Sequence, residues 1–328
     1  MRAVTRGRVL EGTDPTGVTG VRPAEGATAL TASTIVGIDG SATARTAACW
    51  AARDARLHDS PLQLVSAACP SAGLVAESPQ ALEPLRRRAE RALSDSRRAI
   101  AESGQATAQI DWITSRIECA PPIPTLLDAS AAARMLVVGN RGHRAADRVP
   151  LGSVAVALAE HCRSPLTVVR DPGPVARESL SAAVVVGVDG SRASRRAATA
   201  AFAEAAVRGV ALTVVHAWSD SDGSDRDPTT LSPEHDLIAW RNLRTRVATG
   251  WLDDELRSLR ADHPTVRVRR SVVRDRPARA LLDHAQAAQL VVVGARGRGG
   301  FDHMLLGSTA RAVLQGARCP VMVVPFGR

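Results

Sequence analysis

One stretch occurs twice in this chain. Residues Val291 to Gly297 read Val-Val-Val-Gly-Ala-Arg-Gly, and nine residues later come Gly307 and Ser308. Gly139, Arg141 and Gly142 stand in the same pattern 155 residues earlier, again followed after nine residues by Gly152 and Ser153. Each copy reads as a buried strand, a glycine-rich loop and the start of a helix. The duplication runs further. Ala183 to Ser191 repeats the Val-Gly-x-Asp-Gly-Ser strand ending at Ser41, at an offset of 150, and Leu212 to Ala217 repeats Leu62 to Ala67. Leu281 to Gly294 and Pro320 to Val324 repeat their counterparts at an offset of 155. The second copy therefore gains five residues between its second and fourth strands. The acidic stretch from Ser219 to Asp227 is the expected place for the added loop.

A tandem duplication of β-α-β-α-β-α-β-α-β units predicts an α/β fold with right-handed crossovers. Each unit is expected to be a doubly wound, five-stranded parallel sheet of order 3-2-1-4-5, with helices on both faces, and the third strand of the first unit is expected near 107–113. The chain length of 328 residues suits two domains of ~150 residues. The expected boundaries are a disordered tail at 1–30, a first domain at 31–170, a linker at 171–181 and a second domain at 182–328. Aromatic residues are few, with three Phe, five Trp and no Tyr, so the cores must be Ala, Val and Leu. Such cores fit parallel strands covered on both faces.

Ligands of doubly wound sheets bind beyond the carboxyl ends of the strands, where strand order reverses. In the order 3-2-1-4-5 that point lies between the first and fourth strands. Asp39 then faces Gly139 across one crevice, and Asp189 faces Gly294 across the other. Glycines admit a close approach of backbone N–H groups to an anion, and a helix N-terminus adds unpaired donors. Ser153 and Ser308 each add a hydroxyl. The same glycines also suit a plain tight strand-to-helix connection, and it is the matched duplication that favours a phosphate site.

The composition excludes several chemistries. Every one of the 42 basic residues is Arg. A P-loop, Schiff-base catalysis and protein-kinase chemistry all need a Lys. The net charge of +9 raises nucleic acid as a partner. Arg-rich helix faces such as Arg86 to Arg91, which also carry Glu, read instead as solvated surface. Five cysteines without a C-x-x-C pair indicate reduced thiols and a cytoplasmic setting, not a disulfide frame or a zinc site. No run approaches the ~18 apolar residues of a membrane helix. No catalytic constellation or metal set stands out.

These residues resemble the universal stress protein family, specifically its tandem-domain, ATP-binding members. The likeness covers about residues 33 to 325 and rests on G-x-x-G, nine residues, G-S/T, together with the V-G-x-D-G-S strand. It implies a stress-response regulatory protein that holds ATP, with Mg2+, in each domain. Asp39 and Asp189 would sit at the ribose and adenine end, with Ala67 and Ala217 beside the adenine. Gly139, Gly142, Gly152 and Ser153 would hold phosphates in the first domain, and Gly294, Gly297, Gly307 and Ser308 in the second. Arg141 and Arg296 would pair with phosphates or extend into solvent. The first loop has two fewer glycines than the second and gains Pro150, so the second site is expected to be the tighter. His143 and His303 in the loops leave room for slow hydrolysis. The resemblance also implies that Leu166 to Val169 and Val321 to Val324 act as edge strands, pairing across a homodimer or with each other within one chain. A downstream protein partner is implied but not identified. The alternatives are a ligand-free scaffold or adaptor, and an adenine-nucleotide-hydrolysing enzyme. Adenylating and pyrophosphatase-type enzymes carry Ser-Gly-Gly-x-Asp-Ser after the first strand, where this chain has Val-Asp-Gly-Ser.

Overall fold

The computed structural model describes residues 32–67, 79–104, 112–142, 151–170, 180–218, 235–298 and 305–326. The expected tail at 1–30 and most of the expected linker lie outside these residues. The first half runs β1 (Thr34–Gly37), α1 (Ala42–Leu57), β2 (Leu62–Ala67), α2 (Pro79–Glu102), β3 (Ile113–Glu118), α3 (Pro122–Ser130), β4 (Met135–Gly139), α4 (Ser153–His161) and β5 (Leu166–Val169). The second runs β6 (Ala183–Gly187), α5 (Arg192–Arg208), β7 (Leu212–Trp218), α6 (His235–Glu255), α7 (Arg257–Asp262), β8 (Val268–Arg274), α8 (Pro277–Ala285), β9 (Ala288–Gly294), α9 (Ser308–Gly316) and β10 (Val321–Val324).

The ten strands form one sheet in the order β3-β2-β1-β4-β5-β10-β9-β6-β7-β8. Each half has the expected order 3-2-1-4-5 and is parallel throughout. The halves meet where β5 pairs antiparallel with β10, Thr167 opposite Met322. The two short apolar edges thus close on each other within the chain, leaving no free ladder edge there for a homodimer. The outer edges of the sheet are β3 and β8.

Local chemistry accounts for the elements. The Ser41 hydroxyl caps α1 by accepting from the Ala44 amide at 3.1 Å, and the Ser191 hydroxyl caps α5 by accepting from Ser194 at 3.1 Å. Pro122 and Pro277 open α3 and α8 at positions where their missing N–H costs no hydrogen bond. Along α1 and α5 the inward faces are mainly alanine, including Ala47, Ala51, Ala197 and Ala201, all fully buried. Small side chains let both helices lie close on the sheet beside Val36, Val186 and Met322. Leu158, Leu281, Val313 and Leu314 cover the opposite face.

One expectation shifts. The third strand was placed near 107–113, yet β3 begins at Ile113 and residues 105–111 fall outside the described ones. Alternation is weak in an edge strand whose middle residues, Thr114 to Arg116, are all exposed. The 155-residue offset already holds between β3 and β8, so the five added residues lie between β7 and β8, the interval that contains the expected stretch from Ser219 to Asp227, which is outside the described residues. There the single long helix α2 is matched by α6 and α7, which break at Leu256.

Candidate nucleotide-binding site

β1 and β4 are adjacent, as are β6 and β9, so both switch points lie where the sequence placed them. Gly294 ends β9 against the start of α5. A Cβ there would stand 2.8 Å from the Ala193 carbonyl carbon, so only glycine fits. Gly139 is held the same way, with the Thr43 hydroxyl 2.7 Å from where its Cβ would be. Asp39 meets the loop one turn further on, its Oδ2 lying 3.0 Å from the position a Gly142 Cβ would take. Asp189 stands closer still to Gly297, at 2.7 Å by the same measure.

Both carboxylates are anchored locally. The Ser41 amide donates to Asp39 Oδ1 at 2.9 Å, and Ser191 donates to Asp189 Oδ1 at 2.9 Å. In the second crevice Asp189 also reaches the glycine loop, accepting from the Arg298 amide at 3.0 Å. Burial pushes the Asp189 carboxyl up, but hydrogen bonds from Ser191, Ser194 and the Arg298 amide outweigh it and hold the group below the usual carboxylate range. In the first crevice the Thr43 hydroxyl donates to the Arg141 carbonyl at 2.6 Å and ties the loop to α1.

The helices that follow the loops start without a side-chain cap. Gly152 and Gly307 are the N-cap residues of α4 and α9, and neither has a side chain to accept a first-turn amide. This contrasts with the serine caps of α1 and α5, and it leaves helix donors open at the crevice. The loop folds back on each helix start, with the Gly152 amide donating to Asn140 at 2.8 Å and the Gly307 amide to Ala295 at 2.7 Å. A Cβ on Gly307 would lie 3.5 Å from Arg296 Cα and 3.7 Å from the Gly297 nitrogen, and thus fill the space between loop and helix. Ser153 and Ser308, the first residues of these helices, are exposed.

Ala67 ends β2 and Ala217 lies one residue before the end of β7, each half-buried and one strand over from its Asp. Arg296 extends over the Phe326 ring, 5.7 Å from the centroid. His143 and His303 lie outside the described residues. Several neighbours were not legible beforehand. Thr43 and the Arg298 amide act through space and carry no motif. Trp251 packs over Gly190, with Cζ2 2.8 Å from where a Cβ would be, and tilts against His216 at 4.9 Å. In the first half Ala92 takes the corresponding place above Gly40.

A second polar cluster lies at the junction of the halves. Asp54, His58 and Glu204 converge closely enough to suggest metal ligands. However, Asp54 is bound by Arg134 and Arg208, and Glu204 by Arg208 at 2.9 Å and His58 at 3.1 Å. Two guanidiniums already balance the two carboxylates, so the chemistry is that of a buried ion network.

Comparison with known proteins agrees with this architecture. The family model described as "Universal stress protein family" matches residues 33–170 and again 182–325. Universal stress protein Rv2623 of Mycobacterium tuberculosis is 41% identical over 291 residues, covering 88% of this chain and 95% of the relative. A universal stress protein of Mycolicibacterium smegmatis is 38% identical over 293 residues, covering 88% and 96%. Among solved structures, a universal stress protein from Archaeoglobus fulgidus superimposes with a TM-score of 0.63 at 18% identity, covering 90% of this chain and 97% of that one, and so bears on the fold alone. No helix among the described residues is long and apolar enough to cross a membrane. With two matched domains, close full-length relatives and the shared fold, the chain belongs to the universal stress protein family as a tandem-domain member.

Proposed function

We propose that the protein is an adenine-nucleotide-binding regulator that holds ATP, with Mg2+, in the crevice of each domain, the second more tightly. The observation that carries this reading is the pair of glycine-capped helices, α4 and α9, each opening onto a glycine loop. Such a loop and helix start present backbone donors to phosphate, and the dipole favours the anion. On this reading the phosphates lie against Gly142, Gly152 and Ser153, or Gly297, Gly307 and Ser308, with Gly139 and Gly294 fixing where each loop begins. Asp189, held ionised, would repel phosphate. It suits a ribose hydroxyl or the bound cation, and Asp39 takes the same part in the first domain. Ala67 and Ala217 offer small side chains where a base would lie. Arg141 and Arg296 supply positive charge. The second loop has two more glycines than the first and no counterpart of Pro150, so it can offer the phosphates more backbone donors, which favours the second site.

Regulation fits this site better than catalysis, because the Asp189 carboxylate beside the second loop is engaged by Ser191 and the Arg298 amide. Cytoplasmic residence is part of the same reading and is supported by the free thiols of Cys49, Cys119, Cys162 and Cys319.

Isothermal titration of nucleotide-stripped protein with ATP and magnesium tests the proposal, with Gly297→Ala alongside. A Cβ at position 297 meets Asp189 and disturbs the second crevice. Two binding events in the wild type and one in the variant are expected. A wild type that binds no nucleotide, yet is fully folded, would remove the proposal and favour a scaffold.

A further inference from the structure

The second crevice has a lip built on Phe326. After β10 the chain passes across the start of α5, and the Phe326 carbonyl accepts from Arg196 Nη1 at 3.1 Å. The Phe326 ring then meets two guanidiniums. Arg192, the first residue of α5, has its Cζ 5.9 Å from the ring centroid, and Arg296 of the glycine loop has its Cζ at 5.7 Å. Both distances fall within cation–π range. Neither arginine makes an ion pair among the described residues. Two positive charges held on one ring, with Arg296 Cα also close to the N-cap of α9, make this edge of the crevice attractive to an anion. The first repeat has no equivalent set. At the matching sequence positions, Arg192 corresponds to Ala42, Arg196 to Thr46 and Phe326 to Asp171.

We infer that Arg192 and Arg296, both held on the Phe326 ring, bind the outer phosphates of a nucleoside triphosphate in the second crevice, so that this site discriminates by phosphate number and the first does not. The inference rests on the nucleotide reading above and goes beyond it. The glycine loop and the start of α9 serve whatever phosphate lies nearest the ribose. The lip adds charge only for phosphates further out. Phe326 acts as a positioning residue, because its ring lies against both guanidiniums. The Arg196 contact fixes the backbone that carries the ring.

The test is isothermal titration of the full chain with ATP, ADP and AMP, using wild type, Arg192→Gln and Phe326→Leu. Arg192 is exposed, so its replacement leaves the core intact. In Arg192→Gln, ATP affinity at one of the two binding events should fall about tenfold while AMP affinity stays within about twofold, because a charge-assisted contact is lost only for the longer ligand. Phe326→Leu should move the same ratio in the same direction by a smaller factor. The other binding event should be unchanged and serves as the internal control. If ATP binds but neither variant changes the ratio of ATP to AMP affinity, the lip is overturned and the nucleotide reading stands. If no nucleotide binds the wild type, both fall together.

Discussion

Asp54 and Glu204 occupy equivalent positions of the two repeats, 150 residues apart, and their buried carboxylates share the guanidinium of Arg208. The next positions along each helix correspond as well. His58 of the first repeat matches Arg208 of the second, and each binds the acid of the opposite domain. The cluster therefore spans the domain junction from α1 to α5. Arg134 completes it with a third basic group, bonded to Asp54 and, at 3.0 Å, to the Thr34 hydroxyl.

Removing Arg208 should be severe. Its side chain is 3% exposed and also lies over the Trp50 ring at 5.3 Å. Arg208→Ala would leave two buried carboxylates with Arg134 as their one guanidinium, and breaking a buried ion network in this way costs about 3–5 kcal/mol. Urea unfolding of both proteins at neutral pH measures this. A loss below about 1 kcal/mol would mean that Arg134 alone balances the pair.

The same cluster sets an acid response. Burial pushes the Glu204 carboxyl up, but the His58 hydrogen bond and the Arg208 charge outweigh it and hold the group at about 2, against an ordinary 4.5. A depressed carboxyl contributes stability above its unfolded value, and that contribution is lost as the pH falls from about 4.5 through about 2. Asp54 is shifted the other way, upward, by burial and by the Glu204 charge, so it takes a proton first on acidification. Glu204→Gln should therefore flatten the acid side of the stability profile. The gap between wild type and variant, measured by denaturant unfolding, should be largest near about pH 6 and narrow toward pH 2. A constant gap would count against the assignment.

Two glycine-to-alanine substitutions should act in opposite directions. At Gly294 the new methyl meets the Ala193 carbonyl carbon at 2.8 Å, which is backbone and cannot turn aside. Overpacking of this kind costs about 1–3 kcal/mol. Gly250 lies inside α6 with open space around it, and alanine there should stabilise by about 0.4–1 kcal/mol. Thermal melting of the two variants gives the comparison, and a Gly294→Ala protein as stable as wild type would contradict the close approach.

The cysteines should differ in reactivity. Burial pushes the Cys319 thiol up to about 12, leaving almost no thiolate at neutral pH, whereas Cys119 is exposed. Iodoacetamide followed by peptide mass mapping should label Cys119 first and leave Cys319 unmodified until the protein is unfolded.

Much of the architecture is written in the sequence because it depends on local pattern. The repeat offsets, the short apolar strands and the glycine spacing pointed to two parallel α/β units, for which the order 3-2-1-4-5 was expected and is found. They also determined that Asp39 and Asp189 stand beside glycine loops. Exposed pairs such as Arg87 with Glu83 at 2.8 Å follow equally from helical spacing. The third strand was less legible, since the edge strand β3 buries too little to alternate cleanly. What only the tertiary structure decided are relationships between residues far apart in the chain. Asp54 and Glu204 look like surface acids until α1 and α5 are laid on the same face of a sheet closed by β5 and β10. Phe326 acquires a role only because β10 delivers it to Arg192 and Arg296. The tie from the Arg298 amide to Asp189 spans 109 residues. Periodicity fixes which face of an element is apolar, but which charges meet depends on how the two repeats dock.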